Sequence, residues 1–374
     1  MLEKKRVYII GNLTGSTRAR LLLDFVSGSN KYSFSYDDTH FFKVNSKNLL
    51  KKAFLLLPNF LNSLSSFSKF LISDIIFILP MGKISYLKLK LAKLMNKKVV
   101  TEFYISKYDT YVNDKKRVDK NSKNALALKK FDQNIIDLSS DLIFLNNSEK
   151  EYYLDVVQRS NTTTKIHLIP LATESKMMAQ LNYANLKTKK LILCWWGSYI
   201  PLHGLDKIIE SAKYLKQSDI SFEYHLFGTA DKKAVAYQKM IDELELNDVV
   251  KIDNTKTFAD KSLDKFLIEN CDIAFGNFGD SEKAKVVMVN KAVEAVSMKI
   301  PVLSQKTKAL GEYFENEETM FFCEPSPEEI AKAIFKISNN PELIKSVSKK
   351  GFSLYQKRFS KEAYIEDIQK ILVS

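Results

Sequence analysis

The sequence predicts an α/β protein built from two tandem Rossmann-like, doubly wound parallel-sheet domains that face a cleft. Three observations support this fold class. The chain has 374 residues, more than one ordinary domain needs. Short apolar runs alternate with stretches of helical spacing. The alternation breaks in the polar segment at residues 173–190 and then restarts. The composition, with 45% hydrophobic and 27% charged residues, is that of a folded protein.

In the first half, compact apolar runs predict buried parallel strands, and the segments between them predict helices. The strand segments are "RVYIIGN", "DIIFILP", "KKVVTEFYIS", "DLIFLN" and "KIHLIPLA". The helical segments are "GSTRARLLLDFV", capped by Ser16 or Thr17, "SYLKLKLAKLM", "SKNALALKKFDQNIIDL" and "EKEYYLDVV".

The second half repeats the pattern. Its strand segments are "LILCWWGS", "SFEYHLFG", "DVVKID", "CDIAFGN", "IPVLS" and "TMFFCE", and its helices include "GLDKIIESAKYL", "KKAVAYQKMIDELEL", "SLDKFLIEN" and "SPEEIAKAIFKISN". Two further helices close the chain. We therefore predict an N-terminal domain at residues 1–180, a C-terminal domain at 188–355, and a final helix at 356–374 that packs back on the first domain. Ligands of such sheets bind at the carboxyl ends of the strands.

The net charge of +13 belongs entirely to the first half. Residues 1–180 hold 29 Lys+Arg against 16 Asp+Glu, and residues 181–374 hold 28 of each. This asymmetry favours an anionic partner, such as a membrane surface or a phosphorylated acceptor, although a lysine-rich genome gives the same balance. Nucleic acid is disfavoured because no aromatic-basic motif accompanies the charge.

The compartment that the sequence favours is the cytoplasm. The three cysteines are far apart, and the chain enters a strand almost at once, which leaves no room for a signal peptide. The longest apolar region is broken by Pro58, Lys69 and Asp74, so it does not predict a membrane span. Residues 48–70 are amphipathic and could lie on the inner face of the plasma membrane or pack in the core.

Glycine turns follow several predicted strands, and a glycine lets the backbone approach a phosphate at a helix N-terminus. They are "GNLTGST", which offers Gly15 as a phosphate-loop residue, "GSYIPLHG" with Gly197 and Gly204, and "FGTA" with Gly228. None matches the dinucleotide or P-loop fingerprint, which disfavours nicotinamide and P-loop chemistry.

The stretch "FGDSEKAKVVMVNKAVEAVSMKIPVLSQ" carries charges on a segment that is otherwise apolar. Lys291 and Glu294 are three residues apart and share one helix face, opposite a face of valines. A solvated helix surface is one interpretation. The more specific interpretation is a nucleotide site. In it, Lys283, Lys285 and Lys291 neutralise a diphosphate, and the Glu294 carboxylate accepts hydrogen bonds from the hydroxyls of a ribose.

The second half resembles the donor-binding domain of the GT-B glycosyltransferases, and most of all the retaining family 4 group. The matching stretches are "WWGSYIPLHGLDKIIESAKYL", "YHLFGTA", "LIENCDIAFGNFG" and "NKAVEAVSMKIPVLS". The resemblance implies a nucleotide diphosphate sugar as donor, a ribose-binding role for Glu294, no metal and no further cofactor. It also implies attack by the acceptor on the face of the leaving diphosphate.

The sequence departs from that family at two places. Val286 stands where the family has the first Glu of E-x7-E, so sugar contacts must come from elsewhere, such as Asp280 or Glu282. Tyr199 and His203-Gly204 stand where the family has its Arg and Lys-Gly diphosphate clamp. His203 is therefore a candidate donor-phosphate residue, and the lysines of 283–291 could supply the missing charge.

Asp109, in "SKYDTYVNDKK", follows a predicted strand of the first domain. This position makes it the candidate for acceptor binding or general-base catalysis, although an Asx turn is the alternative. The favoured function is transfer of a sugar to a glycan or lipid-linked acceptor in bacterial surface polysaccharide or glycoconjugate assembly. A sugar-nucleotide epimerase and a catalytically inactive sugar-nucleotide-binding protein are the alternatives.

Overall fold

The computed structural model describes residues 4–37, 62–179, 190–228 and 231–373. The chain divides into two compact units. Unit 1 comprises Met1–Leu145, Lys150–Ile169 and Ile365–Ser374, and unit 2 comprises Asn146–Glu149 and Pro170–Tyr364. Each unit contains one six-stranded sheet, and every pairing between neighbouring strands is parallel. The predicted fold class, two doubly wound α/β units in tandem, is confirmed.

The sheet of unit 1 has the strand order β2-β1-β3-β4-β5-β6. The strands are β1 (Lys5–Ile10), β2 (Tyr32–Tyr36), β3 (Ile75–Ile78), β4 (Lys98–Glu102), β5 (Asp141–Phe144) and β6 (Lys165–Leu168). The helices are α1 (Thr17–Gly28), α2 (residues 62–72), α3 (Tyr86–Leu94), α4 (Lys123–Leu138) and α5 (Asn147–Val156), with a π-helix at Asp109–Asp114.

The sheet of unit 2 has the order β12-β11-β10-β7-β8-β9. Its strands are β7 (Leu191–Gly197), β8 (Phe222–Gly228), β9 (Val250–Ile252), β10 (Ile273–Phe275), β11 (Val302–Gln305) and β12 (Phe321–Cys323). Its helices are α6 (Leu205–Leu215), α7 (Asp231–Glu243), α8 (Ser262–Asn270), α9 (Glu282–Val286), α10 (Asn290–Ser297), α11 (Lys308–Gly311), α12 (Pro327–Ser338) and α13 (Pro341–Arg358). A short 3₁₀ turn at Pro201–His203 precedes α6, and α14 (Lys361–Val373) ends the chain.

The central strands form where the sequence has continuous apolar runs. All four residues of β3 and of β5 are buried, as expected for strands covered on both faces. The edge strand β2 was not predicted, because only Tyr32 among its five residues is buried and its sequence therefore carries no apolar run.

Two further predictions fall partly outside the described residues. Residues 173–179 of the predicted linker are irregular, and 180–189 lie outside the described residues. Of the amphipathic stretch 48–70, only 62–70 can be described, and they belong to α2. Across the part of the chain that the structure describes, no helix has the length and hydropathy required to cross a membrane.

Candidate functional site

The sheet of unit 2 reverses its direction of winding between β7 and β10. The chain builds β8 and β9 on one side of β7, and then β10 pairs with its other side. The loops that leave the carboxyl ends of β7 and β10 therefore flank a topological switch point. Open α/β sheets bind their ligands at such a point, so the residues of these two loops are the first candidates for a site.

Glycines bring these two loops into backbone contact. Gly204 has φ +59, and a Cβ atom there would lie 2.5 Å from the carbonyl carbon of Phe278. The Phe278 N–H donates to the His203 carbonyl oxygen at 3.1 Å. On the other loop, a Cβ atom on Gly279 would lie 2.2 Å from the carbonyl oxygen of Leu202. Any side chain at either glycine would push the loops apart, so both are required by close packing.

Lys291 lies in the first turn of α10 and is 4% exposed. Its ammonium nitrogen is buried without a hydrogen-bond partner among the described residues, and it lies 4.3 Å from the centre of the Trp195 ring. Burial lowers the pKa of Lys291 well below its ordinary value, and the charge of Glu294 opposes that shift. A buried amine without a partner is costly for the folded protein, and an anionic ligand would relieve that cost.

Gly197 and His203 lie beside this amine. A Cβ atom on Gly197 would be 3.6 Å from His203 Nε2 and 3.6 Å from Lys291 Nζ. Gly197 has φ +143, a backbone conformation that residues with a side chain rarely adopt. Strand β7 therefore ends at a residue without a side chain, next to His203 Nε2 and Lys291 Nζ. The structure thus brings together three of the residues that the sequence singled out.

His203 is a neutral imidazole in this environment. Burial, and secondarily the charge of Lys291, lowers the pKa of His203 to about 2. Its Nδ1 atom is buried without a hydrogen-bond partner among the described residues. The ring centre of Trp195 lies 5.8 Å from that of His203. The Trp195 indole nitrogen is likewise buried without a hydrogen-bond partner among the described residues. Three unpartnered nitrogen groups therefore surround the end of β7, and His203 offers hydrogen bonding there without positive charge.

Glu294 lies one turn after Lys291 on α10 and is half-buried. Its Oε2 atom accepts a hydrogen bond of 2.7 Å from the indole N–H of Trp196, which fixes the orientation of the carboxylate. The sequence analysis quoted this tryptophan within "WWGS" without giving it a role. A tryptophan directly before the strand-ending glycine was the signal that could have identified it.

The other two predicted lysines belong to the short helix α9. Lys285 is exposed, and its ammonium pairs with Glu282 at 2.7 Å. Lys283 is half-buried on the same helix. Val286, which replaces the family's first Glu, is 7% exposed. A role for Lys283 and Lys285 in donor binding stays a prediction.

Asn254, which no sequence pattern indicated, connects the β7 and β8 loops. The Tyr199 hydroxyl donates to Asn254 Oδ1 at 2.6 Å, and the Gly228 N–H donates to the same oxygen at 3.0 Å. A Cβ atom on Gly228 would lie 2.0 Å from the Tyr199 ring. The glycine that the sequence analysis noted at the end of β8 is therefore needed for contact with an aromatic ring.

Asp109 lies in unit 1, at the start of the π-helix, and its side chain is fully buried. Its Oδ1 atom accepts hydrogen bonds from the Tyr152 hydroxyl at 2.8 Å and from the Asn113 amide at 3.0 Å. These contacts give the carboxylate a structural role within the unit. Its assignment to acceptor binding or base catalysis stays a prediction.

Gly15 is exposed in the loop after β1, next to the N-terminal turn of α1. Ser16 caps that helix by accepting the Ala19 N–H at 3.1 Å, as the sequence predicts. The sequence analysis did not find the ion pair behind this turn. Arg18 and Glu102 are 2% and 1% exposed, and the Arg18 Nε donates to Glu102 Oε1 at 2.9 Å.

Comparisons with known proteins give a family match for the second half of the chain and a fold likeness for the whole of it. Residues 180–354 match the family model described as glycosyl transferases group 1. A search of curated proteins finds no match.

Among solved structures, the chain is similar to sucrose-phosphate synthase from Thermosynechococcus elongatus, with a TM-score of 0.70 at 13% identity over 99% of this chain and 98% of that one. It is similar to Anabaena Alr3699/HepE in complex with UDP and glucose, with a TM-score of 0.67 at 12% identity over 99% and 100%. It is also similar to the lipopolysaccharide outer core galactosyltransferase WaaB, with a TM-score of 0.65 at 13% identity over 99% of each chain.

The whole-chain likeness establishes the fold, and the family match covers the unit that contains the switch-point site. The chain therefore has the GT-B fold, and its residues 180–354 match the glycosyl transferases group 1 family.

Proposed function

We propose that the chain transfers a sugar from a nucleotide diphosphate sugar to a glycan or lipid-linked acceptor, with retention of anomeric configuration. We place the reaction in the assembly of a bacterial surface polysaccharide or glycoconjugate. The donor binds at the switch point of unit 2, and the acceptor binds to the basic unit 1.

The observation that carries the proposal is the buried amine of Lys291. It lies next to the bare backbone of Gly197 and to His203, and it has no hydrogen-bond partner among the described residues. A diphosphate supplies what this arrangement lacks, namely negative charge and several acceptor oxygens. In this proposal Glu294, one helical turn after Lys291 and hydrogen-bonded to the Trp196 indole, accepts the hydroxyls of the ribose.

A uridine nucleotide is the first donor to test. One structurally similar protein, HepE, was crystallised with UDP and glucose, and WaaB is named as a galactosyltransferase. We propose UDP-glucose and UDP-galactose as the leading donors on that basis. The proposed acceptor class is supported by the similarity to WaaB, a lipopolysaccharide outer core galactosyltransferase.

In the proposed mechanism the acceptor oxygen attacks the anomeric carbon on the face from which the diphosphate departs. As the bond to the diphosphate breaks, negative charge grows on its oxygens. Lys291, protonated in the complex, and the N–H groups around Gly197 and His203 stabilise that charge, which is the largest effect available to a preorganised site. We propose that the ammonium does this without a metal ion, and that Lys283 and Lys285 add positive charge nearby.

We also propose that the enzyme works in the cytoplasm, at the inner face of the plasma membrane. A lipid-linked acceptor would bring it there, and the excess of cationic residues in the first half, 29 Lys+Arg against 16 Asp+Glu, favours an anionic membrane surface.

A transfer assay with a panel of nucleotide sugars, run with and without a chelator, tests the proposal. We expect release of UDP from one donor, unchanged by the chelator, and loss of that release in Glu294→Ala. Binding of donor without turnover would identify an inactive binding protein. A nucleotide sugar returned with one carbon inverted would identify an epimerase instead.

A further inference from the structure

The outer surface of α3 combines exposed leucines with lysines. Leu87 and Leu94 are 76% and 81% exposed, and their spacing of seven residues places them on one face of the helix. That face lies opposite the buried residues Leu89 and Ala92. Leucines turned fully outward on a helix that already has a buried face do not contribute to the core, so they require another explanation.

The charge around these leucines is almost entirely positive. Residues 62–97 contain six lysines, at positions 69, 83, 88, 90, 93 and 97, and a single acidic residue, Asp74. Asp74 is paired with Arg6 at 3.2 Å, so its charge is compensated within the unit. A helix with apolar and lysine residues on one outer face, and no carboxylate of its own, has the character of a surface that binds an anionic interface.

The surface extends beyond α3 on both sides. The Lys88 ammonium lies 5.9 Å from the centre of the Phe70 ring, which places α2 next to α3, and α2 exposes Leu64 and Ile72 at 48% and 57%. At the C-terminal end of α3 there is an open groove of about 520 Å³. Its lining includes Lys93, Lys97, Lys98 and Lys165 together with one carboxylate, Asp141, which pairs with Lys98 at 3.5 Å, so Lys93 and Lys165 are the groove cations most open to a ligand.

We propose that the outer face of α3, with the groove at its end, binds the surface of an anionic phospholipid bilayer. Leu87 and Leu94 enter the headgroup region, and the lysines of α3 and of the groove contact lipid phosphates. This inference deepens the membrane contact stated under the proposed function and rests on it. It names a surface separate from the donor site.

Vesicle flotation of the full chain tests the inference. The vesicles contain phosphatidylcholine alone or equal parts of phosphatidylcholine and phosphatidylglycerol. We expect flotation only with the anionic vesicles at low salt, and about fivefold weaker binding for each of Lys90→Gln and Lys93→Gln, because a lysine near an anionic surface contributes about 1 kcal/mol. The double variant Leu87→Ser/Leu94→Ser should bind at least as weakly.

The matched controls are Val235→Ser and Lys239→Gln on α7 of unit 2, where Val235 is 68% exposed and the Lys239 side chain 76%. They should float like the unaltered protein. Equal flotation of the α3 variants and the unaltered protein would overturn the proposal, as would tighter binding to a nucleic acid at equal phosphate concentration. Thermal stabilisation by UDP, measured on the same proteins, separates the two hypotheses: an unaltered protein that binds UDP but does not float with anionic vesicles defeats only the bilayer surface, and one that floats but does not bind UDP defeats only the donor site.

Discussion

Two sets of buried polar groups, one in each unit, differ in how their charged and nitrogen atoms are partnered. In unit 1, Arg18 pairs with Glu102, and Asp109 accepts hydrogen bonds from Tyr152 and Asn113. In unit 2, by contrast, the amine of Lys291, the imidazole of His203 and the indole of Trp195 each bury a nitrogen atom that has no hydrogen-bond partner among the described residues.

This difference separates structural from functional polar groups. A compensated buried charge holds its own unit together, and removing one partner leaves the other uncompensated. An uncompensated cluster of nitrogen groups costs stability, and such a cluster is expected where a ligand supplies the missing partners. We therefore expect a stabilising role for the unit 1 groups named above, and the proposed donor site gives the unit 2 groups a binding role.

The largest expected effect is on the ion pair of unit 1. Arg18→Met leaves the Glu102 carboxylate buried without its cation, so we expect the free energy of unfolding to fall by about 3–5 kcal/mol. Urea denaturation measures this. Arg20→Met is the matched control because Arg20 lies on the same helix but is exposed. A loss below about 1 kcal/mol would show that the pair contributes no more than a surface pair does.

The next largest effect is on catalysis in unit 2. Lys291→Met removes the cation proposed for the leaving diphosphate, and kcat/KM should fall by about 100-fold or more, as when one preorganised donor is removed from a transition-state site. Lys213→Met, which alters an exposed lysine on α6, should keep full activity. Steady-state UDP release measures both variants. Activity within about twofold of the unaltered enzyme would remove Lys291 from the mechanism.

Asp109→Asn tests whether the unit 1 carboxylate is structural or catalytic. The uncharged amide oxygen accepts the hydrogen bonds from Tyr152 and Asn113 less strongly than the carboxylate oxygen does. The free energy of unfolding should therefore fall by about 2 kcal/mol, while kcat changes little. Paired measurements of unfolding and of kcat against pH distinguish the two roles. A large loss of kcat at unchanged stability would support the general-base assignment.

The smallest effect runs in the opposite direction. Because burial lowers the pKa of Lys291, the unfolded chain binds more protons than the folded one at pH values between the lowered pKa and the ordinary lysine pKa. We therefore expect Lys291→Met to stabilise the unliganded protein by about 1 kcal/mol. This advantage should shrink as pH rises toward the ordinary lysine pKa of about 10.4. Thermal unfolding over a pH series measures it, and a destabilised variant would contradict the comparison.

The same lysine predicts how donor binding depends on pH. A phosphate beside the amine raises its pKa, so binding takes up a proton at pH values between the pKa of the free protein and that of the complex. UDP affinity should fall as pH rises through this window, by at most about tenfold per pH unit, and the dependence should vanish in Lys291→Met. Calorimetry in buffers of different ionisation enthalpy detects the proton. Absence of uptake would show that Lys291 is already charged without ligand.

The fold was largely predictable from sequence because apolar runs report burial directly. The run "DIIFILP", for example, contains the fully buried strand β3. Strand β2 was not predicted because its side chains are mostly exposed and its sequence has no apolar run. The break between α9 and α10 was also missed, because both helices are short and the intervening residues are apolar.

The cluster at the end of β7 was predictable in part, and its role as a donor site stays a prediction. Gly197, His203 and Lys291 were each identified from local pattern, since a strand-ending glycine and a cation on an apolar helix are visible in the sequence. The contacts of Asn254 with Tyr199 and Gly228 and the pairing of Arg18 with Glu102 could not be predicted. They join residues 26 to 84 positions apart through the register of the sheets, which a linear pattern does not encode.

The most direct test of the central claim is a crystal structure of the enzyme with UDP. A diphosphate oxygen should lie about 2.8 Å from Lys291 Nζ, the usual distance for a charge-assisted hydrogen bond. The ribose hydroxyls should contact the Glu294 carboxylate. A nucleotide bound elsewhere, with Lys291 still buried and unpartnered, would contradict the account.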